Sequence, residues 1–106
     1  MEQPWAPAEA TVQIRKIGSD RHLTITYTGH ARDQMLDRDL LISDVLYVLK
    51  NGFVYSVATA ATQSGLWKYL VETRTPNSGN RIVRVVAIPD KSKIWIKIVT
   101  VMWVDE

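Results

Sequence analysis

Three runs near the end of the chain decide its fold: LWKYLVETRT (Leu66–Thr75), RIVRVVAI (Arg81–Ile88) and IWIKIVTVMW (Ile94–Trp103). Each is rich in β-branched and aromatic residues, and each is long enough for a strand. They are separated by PNSGN (Pro76–Asn80) and PDKSK (Pro89–Lys93), which are turn chemistry of hairpin length. The expectation is an antiparallel meander. If each hairpin closes symmetrically about its five-residue loop, Glu72 lies opposite Arg84, Arg84 opposite Ile98, and Arg74 opposite Ile82. Side chains alternate between the faces of a strand. One face then carries Trp67, Tyr69, Val71, Val83, Val85, Ala87, Val99 and Val101, and should take the helices. The other carries Leu70, Val86, Ile88, Ile94, Ile96 and Ile98, with Lys68, Glu72, Arg74, Arg84 and Thr100 among them. One bulge would turn the remainder of a strand over.

Upstream of the meander the pattern changes to helix. Pro7 suits a first helical turn, where a missing N–H costs nothing. Ala10, Ile14 and Ile17 follow at helical spacing and Gly18 is a stop. Val12 also alternates with Ile14, so a strand over Thr11–Arg15 competes. Leu23–Tyr27 reads as a short strand. Thr28 reads as the N-cap of a helix over Gly29–Arg38, with Ala31 and Met35 on one face. Ser43 reads as the next N-cap, with Asp44 at the positive end of the helix dipole. Val45, Leu46, Val48 and Leu49 form the stripe of that helix, and Gly52 is expected to end it in a left-handed conformation. Phe53–Val57 reads as a strand and Ala58–Gly65 as a loop. The sum is an α+β domain: two or three N-terminal helices packed on a four- to five-stranded antiparallel sheet. Residues 1–10 are expected as a flexible arm and 11–106 as one domain.

Composition narrows the function classes. The chain has 106 residues, 46% of them hydrophobic and 23% charged, the profile of one folded domain. It has no cysteine, which excludes disulfides, thiolate chemistry and zinc–thiolate sites. No apolar run approaches the roughly 18 residues of a membrane helix. The first residues lack a charged-then-apolar signal pattern, so a cytoplasmic location is the expectation. Net charge is +2, but unevenly spread. Residues 1–52 hold six Lys/Arg against seven Asp/Glu, and residues 53–106 hold seven against four. The basic charge belongs to the sheet half. It can attract phosphates or serve the solubility of exposed strands.

A few residues can carry chemistry. His30 falls in the first turn of its helix, where a neutral imidazole can act as a general base near pH 7. It can equally tie helix to sheet. Gln34 is on the same face, four residues on. Arg74 and Arg84 can grip a phosphate and stabilise its developing charge. Glu72 can orient Arg84 or accept a proton, or the two can be a plain cross-strand pair. Lys68, Arg81 and Thr100 complete a polar set on which RNA could lie. Of the four tryptophans, Trp67 should pack in the core. Trp5, Trp95 and Trp103 offer core, interface or base-stacking surface. His22 and His30, eight apart across a strand and a turn, make a poor metal pair. No phosphate-binding glycine loop, paired-histidine metal motif or Gly-x-Ser-x-Gly elbow occurs. No metal and no cofactor is expected.

The segment Tyr27-Thr28-Gly29-His30-Ala31-Arg32-Asp33-Gln34-Met35 is followed by Arg38, by Ile42-Ser43-Asp44-Val45 and by Leu49-Lys50-Asn51-Gly52. The chain then closes on an Arg-rich hairpin and Ile98-Val99-Thr100-Val101. This order resembles the DUF4258 family of small bacterial proteins, from about Thr11 to Trp103. Gln34 stands where that family commonly carries arginine. The family looks related in architecture to the RelE and BrnT toxins, so the resemblance implies a RelE-like fold. It also implies a toxin-type, metal-independent endoribonuclease of a toxin–antitoxin-like system. His30, Arg74, Arg84 and Glu72 would then be catalytic, and Lys68, Arg81, Thr100 and Gln34 would bind RNA. A small antitoxin would be the partner. Two alternatives use the same mixed sheet face: a non-catalytic binding or regulatory module, and a structural homodimer burying Ile94, Ile96 and Ile98.

Overall fold

The computed structural model describes residues 2–106, and its first helix, α1 (Pro7–Gly18), begins on the proline read as a first-turn residue. Ala10, Ile14 and Ile17 are the buried stripe of α1, so the helical spacing prevails over the alternation of Val12 and Ile14. The strand β1 (Thr24–Tyr27) leads into α2 (Gly29–Asp37) and α3 (Ile42–Asn51). The rest is strand: β2 (Phe53–Val54), β3 (Thr59–Ala60), β4 (Trp67–Thr73), β5 (Val83–Asp90) and β6 (Trp95–Trp103). The fold class is α+β, as the sequence implies. The sheet runs β1-β6-β5-β4-β2, with β3 paired to the start of β4. All pairings are antiparallel except β1 with β6, which is parallel. The expected wholly antiparallel sheet is corrected there. The final strand arrives beside β1 only after the chain has passed through α2, α3 and the meander, and it enters in the same sense.

The helices cover one sheet face. Val45, Val48 and Leu49 of α3, the α1 stripe, and Ala31 and Met35 of α2 meet Tyr69, Val71, Val83, Val85, Ala87 and Val101. Of residues 1–10, read as an arm, the first lies outside the described residues, and Trp5 and Ala10 belong to this core. Trp5 is 3% exposed and stacks on Tyr69 at 5.5 Å, and its N–H donates to the Tyr69 hydroxyl at 3.0 Å. That hydroxyl in turn donates to Gln3 Oε1. A buried tyrosine needs partners for its hydroxyl, and this segment supplies them.

The first hairpin has the expected register, with Glu72 opposite Arg84. The second differs. Asp90 pairs with Trp95, and a 3-10 turn at Lys91–Lys93 is followed by Ile94 in the left-handed region at φ 50°. Ile88 therefore faces Lys97 rather than Ile94, three residues on. An odd shift turns a strand over, so Ile96 and Ile98 are fully buried under the helices rather than on the open face. A bulge between Val86 and Ala87 then adds one more residue, so Val86 faces Thr100 and Arg84 faces Met102. The even total returns Val101 to the core and Thr100 to the open face. Val99, expected inside, is half-exposed beside Thr100.

Two local readings around α3 are also corrected. The N-cap position is Leu41, not Ser43, and the cap is supplied from inside the helix: Leu41 N–H donates to Asp44 Oδ2 at 2.9 Å. Gly52 is extended, at φ −77° and ψ 173°, not left-handed. Its requirement for glycine is spatial. A Cβ there would lie 2.5 Å from the Val48 carbonyl oxygen and 2.7 Å from Val71 Cγ1.

Candidate functional site

The face away from the core can be read row by row from the register, because directly opposed residues point the same way. One row is Phe53–Glu72–Arg84–Met102. The next holds Leu70, Val86 and Thr100. Beyond them Thr59 is opposite Lys68 at the start of β4, and Ile88, Lys97 and Thr26 share a row across β5, β6 and β1. Loop residues 61–66 fold over one end, where Ala61, Gln63 and Leu66 close on Ile88, Trp95 and Lys97. The remainder is a half-exposed mixed surface. At its centre Arg84 Nε donates to Glu72 Oε2 at 2.6 Å, with both side chains about a quarter exposed or less. Neither Lys68 nor Lys97 is in an ion pair among the described residues.

Helix α2 runs along the free edge of β6, beyond the end of β1. Thr28 caps the helix by accepting from Ala31 N–H at 3.0 Å, and its hydroxyl donates to the Val99 carbonyl. Gln34 Oε1 accepts from Val101 N–H at 3.0 Å. One turn further, Arg38 grips Glu106, whose carboxylate also takes Trp103 N–H. Four helical residues advance about 6 Å and two strand residues about the same. The stripe His30–Gln34–Arg38 therefore tracks Val99–Val101–Trp103. His30 is exposed and opens that stripe in the first turn of α2.

The residues singled out from the sequence thus fall into three places. Glu72, Arg84, Lys68 and Thr100 share the open face. His30 and Gln34 lie on its β6 rim, and Gln34 is engaged by backbone. Arg74 and Arg81 are at the hairpin end. Arg74 Nε donates to the Asn80 carbonyl at 3.3 Å. Arg81 makes a two-point contact with Asp105 and lies 4.1 Å over the Trp103 ring. Of the tryptophans, Trp67 and Trp103 pack against the core, and Trp95 Nε1 donates to Thr26 on the open face. Among the described residues no three His, Asp or Glu side chains are placed to hold a metal ion.

Sequence reading missed three residues at the opposite rim. Phe53 and Tyr55 stack at 6.0 Å with planes 23° apart, and the Arg15 guanidinium lies 4.5 Å over the Phe53 ring. The signal was the alternation Phe53, Tyr55, Val57, which marks one face of a strand but does not say whether that face is covered. All three are exposed.

A second exposed apolar feature lies between α2 and α3. It is a groove of about 670 Å³ lined by Tyr27, Arg32, Met35, Leu36, Leu40 and Leu41. Leu36 is 79% exposed. Burial pushes the Tyr27 phenol above its ordinary range.

No curated protein and no solved structure matches this chain. A family model does, over residues 27–103, from the tyrosine that ends β1 to the tryptophan that ends β6. The matched span takes in the Thr28 cap, His30, the Glu72–Arg84 pair and the bulge at Thr100. The chain belongs to the DUF4258 family, whose description is a domain of unknown function.

Proposed function

We propose that this protein is a toxin-type, metal-independent endoribonuclease that lays RNA across the open sheet face and cuts it at the β6 rim. The observation that carries the reading is the position of His30: an exposed imidazole in the first turn of α2, the helix that runs along the β6 edge of the sheet whose open face holds Arg84. In the proposed reaction the RNA 2′-hydroxyl gives its proton to His30 and attacks the adjacent phosphorus. The bond to the 5′ oxygen breaks, and that oxygen takes a proton from water, leaving a 2′,3′-cyclic phosphate and a 5′-hydroxyl. Arg84, held by Glu72, faces the charge that develops on the phosphoryl oxygens, and Arg74 binds a phosphate further along. Lys68 and Arg81 bind the flanking backbone. Gln34 and Thr100 form the rim against which the cleaved nucleotide rests.

A small antitoxin would silence such an enzyme. The apolar groove between α2 and α3, with Leu36 in the open, supports a protein partner on that side. A second reading, a non-catalytic RNA-binding module, is favoured by one observation: the Nε–H of Arg84 is already committed to Glu72. The homodimer built on Ile94, Ile96 and Ile98 loses its basis, since Ile96 and Ile98 are buried in the monomer.

Induction in a bacterial host separates the readings. The enzyme reading expects growth arrest by the wild type, relieved by His30→Ala or Arg84→Ala with the fold intact. It also expects RNA cleavage by purified protein in the presence of EDTA. Normal growth with soluble protein, together with RNA binding but no cleavage, sinks the enzyme reading in favour of the binding module.

A further inference from the structure

Resting on the RNA reading above, we infer that Arg15, Phe53 and Tyr55 form a base-stacking step at the β2 rim of the open face, which takes an unpaired nucleobase of single-stranded RNA. Phe53 is directly opposite Glu72, so its ring is in the same row as the Glu72–Arg84 pair. Two interstrand spacings of about 4.8 Å put Arg84 roughly 10 Å across from it. A chain stacked at this rim therefore has its backbone led onto the cationic part of the sheet.

The stack is held before any ligand arrives. Arg15 Nε donates to the Gly52 carbonyl and Nη2 to the Asn51 carbonyl, each at 3.0 Å. The guanidinium is thus fixed from α1 across the end of α3, and its plane covers the Phe53 ring. Tyr55 stacks on the same ring and is 70% exposed. An edge strand is normally kept from association by charge; this one presents aromatic rings. Aromatic rings bind any base through its π-face, with little preference for sequence, and a ring fixed in advance loses less freedom on binding. RNA is the occupant the charge pattern fits. Arg15 is at the stack, and Lys68 and Lys97 stand on the same face outside the ion pairs of the described residues, whereas the carboxylate in the row of Phe53, Glu72, is neutralised by Arg84.

The test is fluorescence anisotropy with a labelled 2′-O-methyl oligoribonucleotide, which lacks the attacking hydroxyl and so stays intact. Tyr55→Ala should weaken binding by roughly 5- to 100-fold, the effect of losing one base stack. Tyr55→Phe should bind like the wild type. The slope of log Kd against log salt should not change in Tyr55→Ala, because no phosphate contact is lost. An oligonucleotide made abasic at the stacked position should lose the same affinity on the wild type and none on Tyr55→Ala. Wild-type binding that Tyr55→Ala leaves untouched would overturn the stacking step while keeping the RNA reading. No binding by a folded wild type overturns both. Unchanged RNA affinity with self-association lost in Tyr55→Ala, measured by light scattering, would assign the rings to a dimer contact instead.

Discussion

Asp44 is 2% exposed and has no cationic partner among the described residues, yet both of its carboxylate oxygens are hydrogen-bonded. Oδ1 accepts from the Thr75 hydroxyl at 2.6 Å, and Oδ2 accepts from Leu41 N–H and from the Asn77 amide. One side chain therefore caps α3 and pins the turn between β4 and β5. The turn is closed on its own side by Ser78, whose hydroxyl accepts from Thr75 N–H at 2.8 Å. Removing the carboxylate leaves the buried Thr75 hydroxyl without its acceptor and frees the Leu41 N–H and the Asn77 amide, whose residues are exposed. Asp44→Ala should cost about 2–4 kcal/mol, combining a lost cap with one unsatisfied buried donor. Urea unfolding checks it, and a loss below about 1 kcal/mol would contradict this account. Reading Asp44 as a dipole partner at a helix start was correct in place. Two of its partners, Thr75 and Asn77, are 31 and 33 residues away in the turn, where no local pattern could reveal them.

At the scale of the element, α2 does two jobs. Its Ala31–Met35 face enters the core, and its His30–Gln34–Arg38 face closes the edge of β6 where β1 has ended. Unpaired strand edges invite other strands; here a glutamine amide replaces the missing neighbour at Val101. Gln34→Ala should speed hydrogen exchange at Val101 and lower stability by about 1 kcal/mol, with the α-helical circular dichroism signal unchanged. Unaltered exchange there would mean that the bond contributes nothing. The resemblance implies an RNA contact for Gln34; its side-chain oxygen also makes this edge-capping contact with Val101 N–H. The bulge itself belongs to this scale. It was the condition attached to the symmetric register, and together with the offset turn it decides that Ile96 and Ile98 are core while Thr100 stays outside.

Over the whole molecule, the three ion pairs among the described residues are divided between the sheet face and residues 105 and 106. Arg38 with Glu106 and Arg81 with Asp105 tie residues 105 and 106 to α2 and to the start of the β5 segment. The Arg38 guanidinium, hydrogen-bonded to Glu106, holds that carboxyl below its ordinary value of 4.5, and Arg81 does the same for Asp105 below 3.8. A carboxyl depressed in the folded state favours folding above its unfolded value, and that contribution is lost as pH falls through the folded value. Stability should therefore be at its plateau above about pH 4.5 and decline below it. The double variant Asp105→Asn, Glu106→Gln should be less stable than the wild type at pH 6, with the gap closing as pH is lowered towards 2. Both pairs are solvent-exposed and screened, so the gap should also shrink in high salt. A gap independent of pH would remove the ion pairs as its cause.

Apart from β3, which forms inside the segment read as a loop, the order of elements, the helical stripes of α1 and α3, the Thr28 cap, the Glu72–Arg84 pair and the α+β class were all determined by the sequence itself. Each follows from local period, turn chemistry or a short hairpin, and these act over a few residues. The tertiary structure alone decided the parallel placement of β1, the burial of Trp5, the exposure of His30 and of the Phe53–Tyr55 stack, and which face of β6 looks inward. All of these depend on what lies across from a residue rather than beside it. A hydrophobic residue carries the same pattern whether or not its face is covered, and one extra residue in a strand exchanges the two faces without altering its composition.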